Sequence, residues 1–391
     1  MAGILFLLGI AMASALVVQR VRLPYTIVLV FVGLVLGSAG VHPGFDLDRD
    51  LILHVFLPLL LFEAALRVDL GVLREAWLPI VVLAVPGVVL STMIVGVGLH
   101  LLIGIGLGSA VLFGALISAT DPVAVLAAFK RLEIPEKLAM VVEGESVLND
   151  GTALVLFTLL LPVANGASVN PVRLPLQFVG VLAGGLGVGA ALGWLGGQVV
   201  RLLDDHLAEI TLSALIAYGS FLAAERLQVS GVIATVSAGL VFASQGWGGL
   251  SRPARELLVD VWEFGAFVGN SLLFLLIGLK VHLRQFGGIW DDLLWAAAIT
   301  LVARFVAVYG FALLLRWFGR PFLSRQALLV AWSGLRGALG IALALSLPGE
   351  LVDGQLLLRL AAGVILFTLL AQGLTLEPLL RRLHRSTGWP S

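Results

Sequence analysis

Glu143-Gly-Glu145-Ser146-Val-Leu-Asn149-Asp150-Gly sets four ionisable or amide side chains within eight positions of an otherwise apolar run. A charged side chain at bilayer depth costs roughly 2.5–3.5 kcal/mol on insertion scales. Groups retained at that cost face a bundle interior, where they serve ion or proton pathways. In a helix over 138–163, a spacing of four puts Ser146 and Asp150 on one face, and Glu143, seven before Asp150, joins them. Glu145 and Asn149 are also four apart but lie on a different face. The first face offers a hydroxyl and two carboxylates to a cavity, with Ser146 and Asp150 as the binding pair. The second offers a carboxylate and an amide to a neighbouring helix, with Glu145 held in an ion pair.

The preceding apolar run contains Thr120-Asp121-Pro122. Proline lacks the backbone donor and clashes with the turn before it, so a helix breaks there. A break at mid-membrane is tolerated only beside protein or a cavity, and interrupted helices at the midplane form the ion sites of secondary transporters. Thr120 offers oxygen ligands, and Asp121 offsets an exposed helix dipole. Trp332-Ser333-Gly334-Leu335-Arg336-Gly337 is the counterpart in the second half, with two glycines around a buried cation. It is read as a second break made flexible by its glycines, with Arg336 near the negative end of a half-helix. Arg304, within Leu-Val-Ala-Arg304-Phe-Val-Ala, is the best partner for Glu145, because a buried cation needs a carboxylate on a neighbouring helix. Glu63, at the end of its span, is either a ligand or an interfacial acid. The histidines fall mostly in loops, so neither a resident metal site nor a cofactor is expected.

These side chains need a membrane scaffold to position them. Hydrophobic residues make up 60% of the 391 and charged residues 12%, against about 25% charged in soluble domains. Net charge is zero, which argues against a nucleic-acid partner, and there is no cysteine for disulfide or thiolate chemistry. Apolar windows fall at about 2–18, 24–40, 50–66, 78–104, 108–129, 138–163, 174–200, 207–224, 229–245, 257–279, 293–315, 325–347 and 356–380. That predicts an all-α polytopic membrane protein of thirteen spans, with Pro86 kinking or tilting the long fourth one. The interrupted spans are the fifth and twelfth. They correspond if the chain holds inverted repeats over about 1–163 and 207–380, joined by a linking helix at about 174–200. Of the 24 Lys and Arg residues, Arg304 and Arg336 lie within spans, and the rest divide sixteen to six in favour of odd-numbered loops and the tail. The N-terminus is therefore expected outside and the C-terminus in the cytoplasm, with no soluble regulatory domain.

With Thr120-Asp121-Pro122 and Glu143-Gly-Glu145-Ser146-x-x-Asn149-Asp150-Gly together, the chain resembles the monovalent cation:proton antiporters of the sodium/proton exchanger family. Leu-Phe-Glu63, Asn270-Ser-Leu-Leu-Phe-Leu-Leu-Ile-Gly and Gly334-Leu-Arg336-Gly extend the likeness over nearly the whole length, within the NhaP-like branch that carries an Asn-Asp pair. The resemblance implies a core of six helices, a dimerisation domain, homodimers in a lipid bilayer and alternating access by core movement. It implies that Asp150 binds sodium (or lithium) and a proton in turn, with Asp121, Thr120, Ser146 and Glu63 completing the cation site. Asn149 stands where the electrogenic branch has a second aspartate, which implies electroneutral exchange. Glu145 with Arg304 becomes a structural pair, Arg336 and Pro122 organise the breaks, and Glu143 lines the cytoplasmic entrance. The function implied is pH and sodium homeostasis in a prokaryotic plasma membrane, by a transporter and not an enzyme. The alternatives are a potassium/proton antiporter, a cation channel or an organic-anion carrier. No selectivity-filter repeat supports the channel, and Asp121 and Asp150 oppose an anion site.

Overall fold

The computed structural model describes residues 2–18, 24–41, 49–167, 170, 172–203, 205–246, 252–281, 283–317 and 324–385. Among the described residues, thirteen helical segments follow one another. They are α1 (Ala2–Val18), α2 (Tyr25–Ser38), α3 (Arg49–Leu51, Ile52–Phe56 and Leu57–Arg67 without a gap) and α4 (Leu70–Ile103). Next come the two pieces α5a (Leu107–Ser118) and α5b (Val123–Arg131), then α6 (Glu136–Ala164), α7 (Arg173–Leu202), α8 (His206–Arg226) and α9 (Gly231–Gly246). The last are α10 (Arg252–Lys280), α11 (Trp290–Trp317), the pieces α12a (Ser324–Trp332) and α12b (Ala338–Leu345), and α13 (Gly354–Phe367, Thr368–Gln372 and Gly373–Arg385 without a gap). Among the described residues, seven helices are long and apolar enough to cross a membrane by length and composition, and four shorter ones are apolar as well.

The fourth segment departs from the hydropathy reading. It starts at Leu70, because Arg74 and Glu75 lower the local hydropathy without interrupting the helix. Pro86 does not end it either. A π turn over Leu83–Gly87 absorbs the missing donor, and the helix runs on from Val88. Two further π turns, Ile52–Phe56 and Thr368–Gln372, have no counterpart in the apolar pattern.

The chain forms two compact units that cut across its two halves. The first holds Met1–Arg49, Arg74–Ser168 and Ser271–Ser391; the second holds Asp50–Leu73 and Val169–Asn270. In the second unit, helices lock through small residues, as membrane bundles do where no hydrophobic force separates helix from lipid. A Cβ on Gly189 would lie 2.8 Å from the Ala234 Cα, and Ser237 Oγ donates to the Leu186 carbonyl at 3.0 Å. Phe62, Phe242 and Trp262 fill its centre, with Trp262 Nε1 donating to Ser213 Oγ at 2.9 Å. In the first unit, α4 meets α5a at similarly short range, with Gly96 against Val111 and Gly114 against Thr92. That contact buries α5a from Ser109 to Ser118 and holds its C-terminal end in the interior, where the chain breaks.

Candidate functional site

Both breaks lie in the first unit and meet each other. Helix α5a ends at Ser118, Ala119 turns to extended backbone, and α5b restarts at Val123. Asp121 caps the restart, its Oδ1 accepting from Val123 N at 2.8 Å, where a carboxylate also suits the positive end of the helix dipole. On the other side, Ser333 N closes the last turn of α12a onto the Leu329 carbonyl at 2.8 Å, and α12b restarts after Gly337. The two extended stretches pair antiparallel at Thr120 and Arg336, with Asp121 N donating to the Leu335 carbonyl at 2.8 Å. Each break thus satisfies backbone groups that its own interrupted helix leaves orphaned.

Gly334 and Gly337 supply room at the second break. Neither has a left-handed backbone. A Cβ on Gly334 would stand 2.8 Å from Arg304 Nε, and one on Gly337 would stand 2.6 Å from the Asp121 Cβ. The glycines admit the charged side chains of the site.

Thr120 links what helical spacing had divided. Its Oγ1 lies 2.9 Å from Ser146 Oγ and accepts from Asn149 Nδ2 at 2.6 Å, while its amide donates to Asn149 Oδ1 at 3.3 Å. Asn149 Nδ2 also donates to Glu145 Oε1 at 3.1 Å. Both predicted faces of α6 therefore close on one threonine. Glu145, fully buried, takes a two-pronged pair from Arg304, at 2.7 Å to Oε1 and 2.8 Å to Oε2. Arg304 also donates to the Val330 carbonyl at 3.0 Å, so one guanidinium ties α6, α11 and α12a. Arg336 sends its side chain to the first break, not the second. Its Nη1 donates to the Ser118 carbonyl at 2.9 Å, a cation at the negative end of α5a.

Asp150 stands apart from this web. It lies one residue beyond Asn149, and its Oδ1 is buried without a hydrogen-bond donor among the described residues. It feels the charges of Asp121 and Glu145, and Arg336 feels those of Arg304 and Glu145. Asp121, Glu145 and Asp150 against Arg304 and Arg336 make a formal surplus of one negative charge when all are ionised. Such a surplus can be neutralised by one proton or one monovalent cation.

Glu63 belongs to the second unit, where it pairs with Arg67 one turn on, and Arg67 also reaches Glu263 at 3.0 Å. The four-residue spacing of Glu63 and Arg67 was available in the sequence. Glu143 is half-buried on α6. Three participants escaped sequence reasoning. Ser118 supplies the carbonyl for Arg336, and Thr368 and Gln372 of α13 touch the second break. Polar residues four apart in an apolar span were the signal for the last two.

Residues 4–382 match the family model described as sodium/hydrogen exchanger, transmembrane. The Na(+)/H(+) antiporter NhaH of Halobacillus dabanensis is 36% identical over 397 residues, covering 97% of each chain. The Na(+)/H(+) antiporter ApNhaP of Aphanothece halophytica is 38% identical over 96% of this chain and 73% of its own length. Among solved structures, the sodium proton antiporter MjNhaP1 from Methanocaldococcus jannaschii at pH 8 superposes with a TM-score of 0.78, at 19% identity and 97% coverage of both chains. That likeness shows a shared all-helical fold. The family match and the relatives agree with the broken-helix geometry, and the chain belongs to the sodium/hydrogen exchanger family.

Proposed function

We propose that this protein exchanges sodium (or lithium) for protons across a prokaryotic plasma membrane, one for one, with Asp150 binding the two in turn. The observation that carries the reading is Asp150 Oδ1, buried and without a donor among the described residues, beside a formal surplus of one negative charge. The other two acids there already accept hydrogen bonds. Both Glu145 oxygens accept from Arg304, and Asp121 Oδ1 accepts from Val123. Deprotonated, Asp150 offers a charged oxygen to a hard cation, and the free lone pairs of Thr120, Ser146 and Asp121 complete an oxygen shell. Protonated, it presents a neutral acid and the cation leaves. Two ligands competing for one carboxylate give antiport when the loaded site is exposed to each side of the membrane in turn. The identities of the relatives support sodium as the cation. The arginine bias supports an outside N-terminus and a cytoplasmic C-terminus, and family resemblance supports a homodimer in the bilayer, serving pH and sodium homeostasis.

Purified protein in proteoliposomes under an imposed pH gradient tests this reading. Asp150→Asn should insert normally and lose exchange. In the wild type, half-saturating sodium should rise as pH falls, approaching about tenfold per pH unit where one proton competes with one cation. Sodium-dependent proton flux surviving in the Asn variant would sink the assignment.

A further inference from the structure

The last span carries a polar stripe that the antiport reading leaves unused. Thr368, Gln372 and Thr375 recur at i, i+4 and i+7, the spacing of one helix face. All three touch the second break. Thr375 Oγ1 accepts from Trp332 Nε1 at 3.1 Å, Gln372 Nε2 donates to the Trp332 carbonyl at 3.4 Å, and Thr368 Oγ1 accepts from Arg336 N at 3.3 Å. The contacts bracket the break, from the last residue of α12a to the residue whose backbone pairs with Thr120.

A broken helix leaves terminal carbonyls and amides without partners, and a dry bilayer has no water to supply them. Helix α13 supplies them here. The Thr368 hydroxyl donates its proton to the Ile365 carbonyl at 3.0 Å, which turns a lone pair toward Arg336 N. Gln372 is 3% exposed, and its Oε1 has no donor among the described residues, so a second acceptor sits unspent beside the break. Both residues belong to the π turn Thr368–Gln372, a deformation that recurs at functional positions. Further along α13, Glu377 meets Arg131 at the end of α5b at 3.5 Å. One helix thus holds both interrupted spans.

We propose that Thr368 and Gln372 are positioning residues for the cation site. They fix the register of the second break and, through the Thr120–Arg336 pairing, fix where Thr120 and Asp121 present their oxygens. The proposal rests on the reading of Asp150 as the exchange carboxylate. Oxygen ligands discriminate a small cation by fractions of an ångström, so a slipped break should weaken sodium binding before it weakens folding.

The experiment compares Thr368→Val, Thr368→Ser and Gln372→Met with the wild type, purified and reconstituted, by proton flux over a range of sodium concentrations at fixed pH. Loss of one hydrogen bond predicts a rise in half-saturating sodium of roughly three- to tenfold for Thr368→Val and Gln372→Met. The maximal rate per folded protein should stay within about twofold, and Thr368→Ser, which keeps the hydroxyl, should return near the wild-type value. Unchanged half-saturation overturns the proposal, whether or not the rate falls, because a merely structural role lowers the amount of working protein and not its sodium affinity. Equal impairment of the Ser and Val variants overturns it too. Should Gln372→Met fail to reconstitute, the Thr368 pair decides alone. Asp150→Asn runs alongside. If it retains flux, the site assignment fails; if it is inactive while Thr368→Val keeps wild-type affinity, only the positioning role fails.

Discussion

The two broken helices solve the same problem in opposite ways. The first break carries its own remedy, since Pro122 removes a donor and Asp121 caps the restarted helix at Val123. The second has no capping side chain of its own. Its backbone is held by Thr368 and Gln372 from α13 and by pairing with the first break, while its arginine leaves to neutralise the end of α5a. One break is built from acids and oxygens, and the other from glycines and a cation. The acidic break is equipped to present ligands. On the proposed reading the basic one sets their position, and its Arg336 offsets one unit of their charge.

Removing one half of the buried ion pair should have the largest effect. Glu145→Ala leaves Arg304 buried without a counter-charge, and Arg304→Ala does the same to Glu145, at a cost of about 3–5 kcal/mol each. Both singles should lose folded yield and thermal stability in detergent. The double variant Glu145→Met with Arg304→Met should recover much of that loss, because apolar isosteres often replace a buried pair at little cost. A double variant as unstable as the singles would mean that the Val330 and Asn149 contacts dominate, and not the charges.

Next in size is the contact between the breaks. Gly337→Ala puts a Cβ 2.6 Å from the Asp121 Cβ, a clash that no rotamer relieves. Overpacking of that kind costs about 1–3 kcal/mol, and exchange should fall at least tenfold because Asp121 must move. Gly334→Ala meets the flexible Arg304 side chain and should be milder. Arg336→Met orphans the Ser118 carbonyl, for about 1–3 kcal/mol in stability, and gives the site a second surplus negative charge. Thermal unfolding and flux, measured on the same preparations, separate the two effects. Equal flux in both glycine variants would break the view that the second break positions Asp121.

Much of this was legible because bilayer physics writes it large. Apolar windows mark the segments, Pro122 marks one break, and Gly334-Leu-Arg336-Gly marks the other. Arg304 and Glu145 announce a partnership because neither survives alone in an apolar span. What stayed hidden depends on neighbours. Helical spacing gives directions around α6 but not where Thr120 sits, so Asn149 and Ser146 were assigned to separate faces although both reach it. The π turns at Leu83–Gly87 and Thr368–Gln372 leave no mark on hydropathy. The start of α4 was lost because Arg74 and Glu75 lower hydropathy without lowering helix propensity. Glu63 was left between ligand and interfacial acid, although Arg67, one turn away, was there to pair with it.

The smallest expected effect is none, and it tests the charge balance between the two breaks. Asp121, Glu145 and Asp150 against Arg304 and Arg336 sum to one formal negative charge, which in the proposed cycle one proton cancels in one half and one sodium ion in the other. The core then carries the same charge in both directions, and membrane potential should neither drive nor brake exchange. Moving a net elementary charge would instead couple by about 2.3 kcal/mol per 100 mV, enough to change rates manyfold. Proteoliposomes clamped with potassium and valinomycin, with sodium as the transported ion, read this directly. The wild-type rate and end-point should stay flat across the imposed voltages. Asn149→Asp sharpens the test. It removes the amide that donates to Thr120 and to Glu145, at 2.6 and 3.1 Å, and adds a second carboxylate beside Asp150. If that carboxylate binds a proton that the cycle must release, exchange in the variant should become voltage-dependent. Voltage dependence in the wild type would mean that a second charge already moves, and Asp150 would not be acting alone.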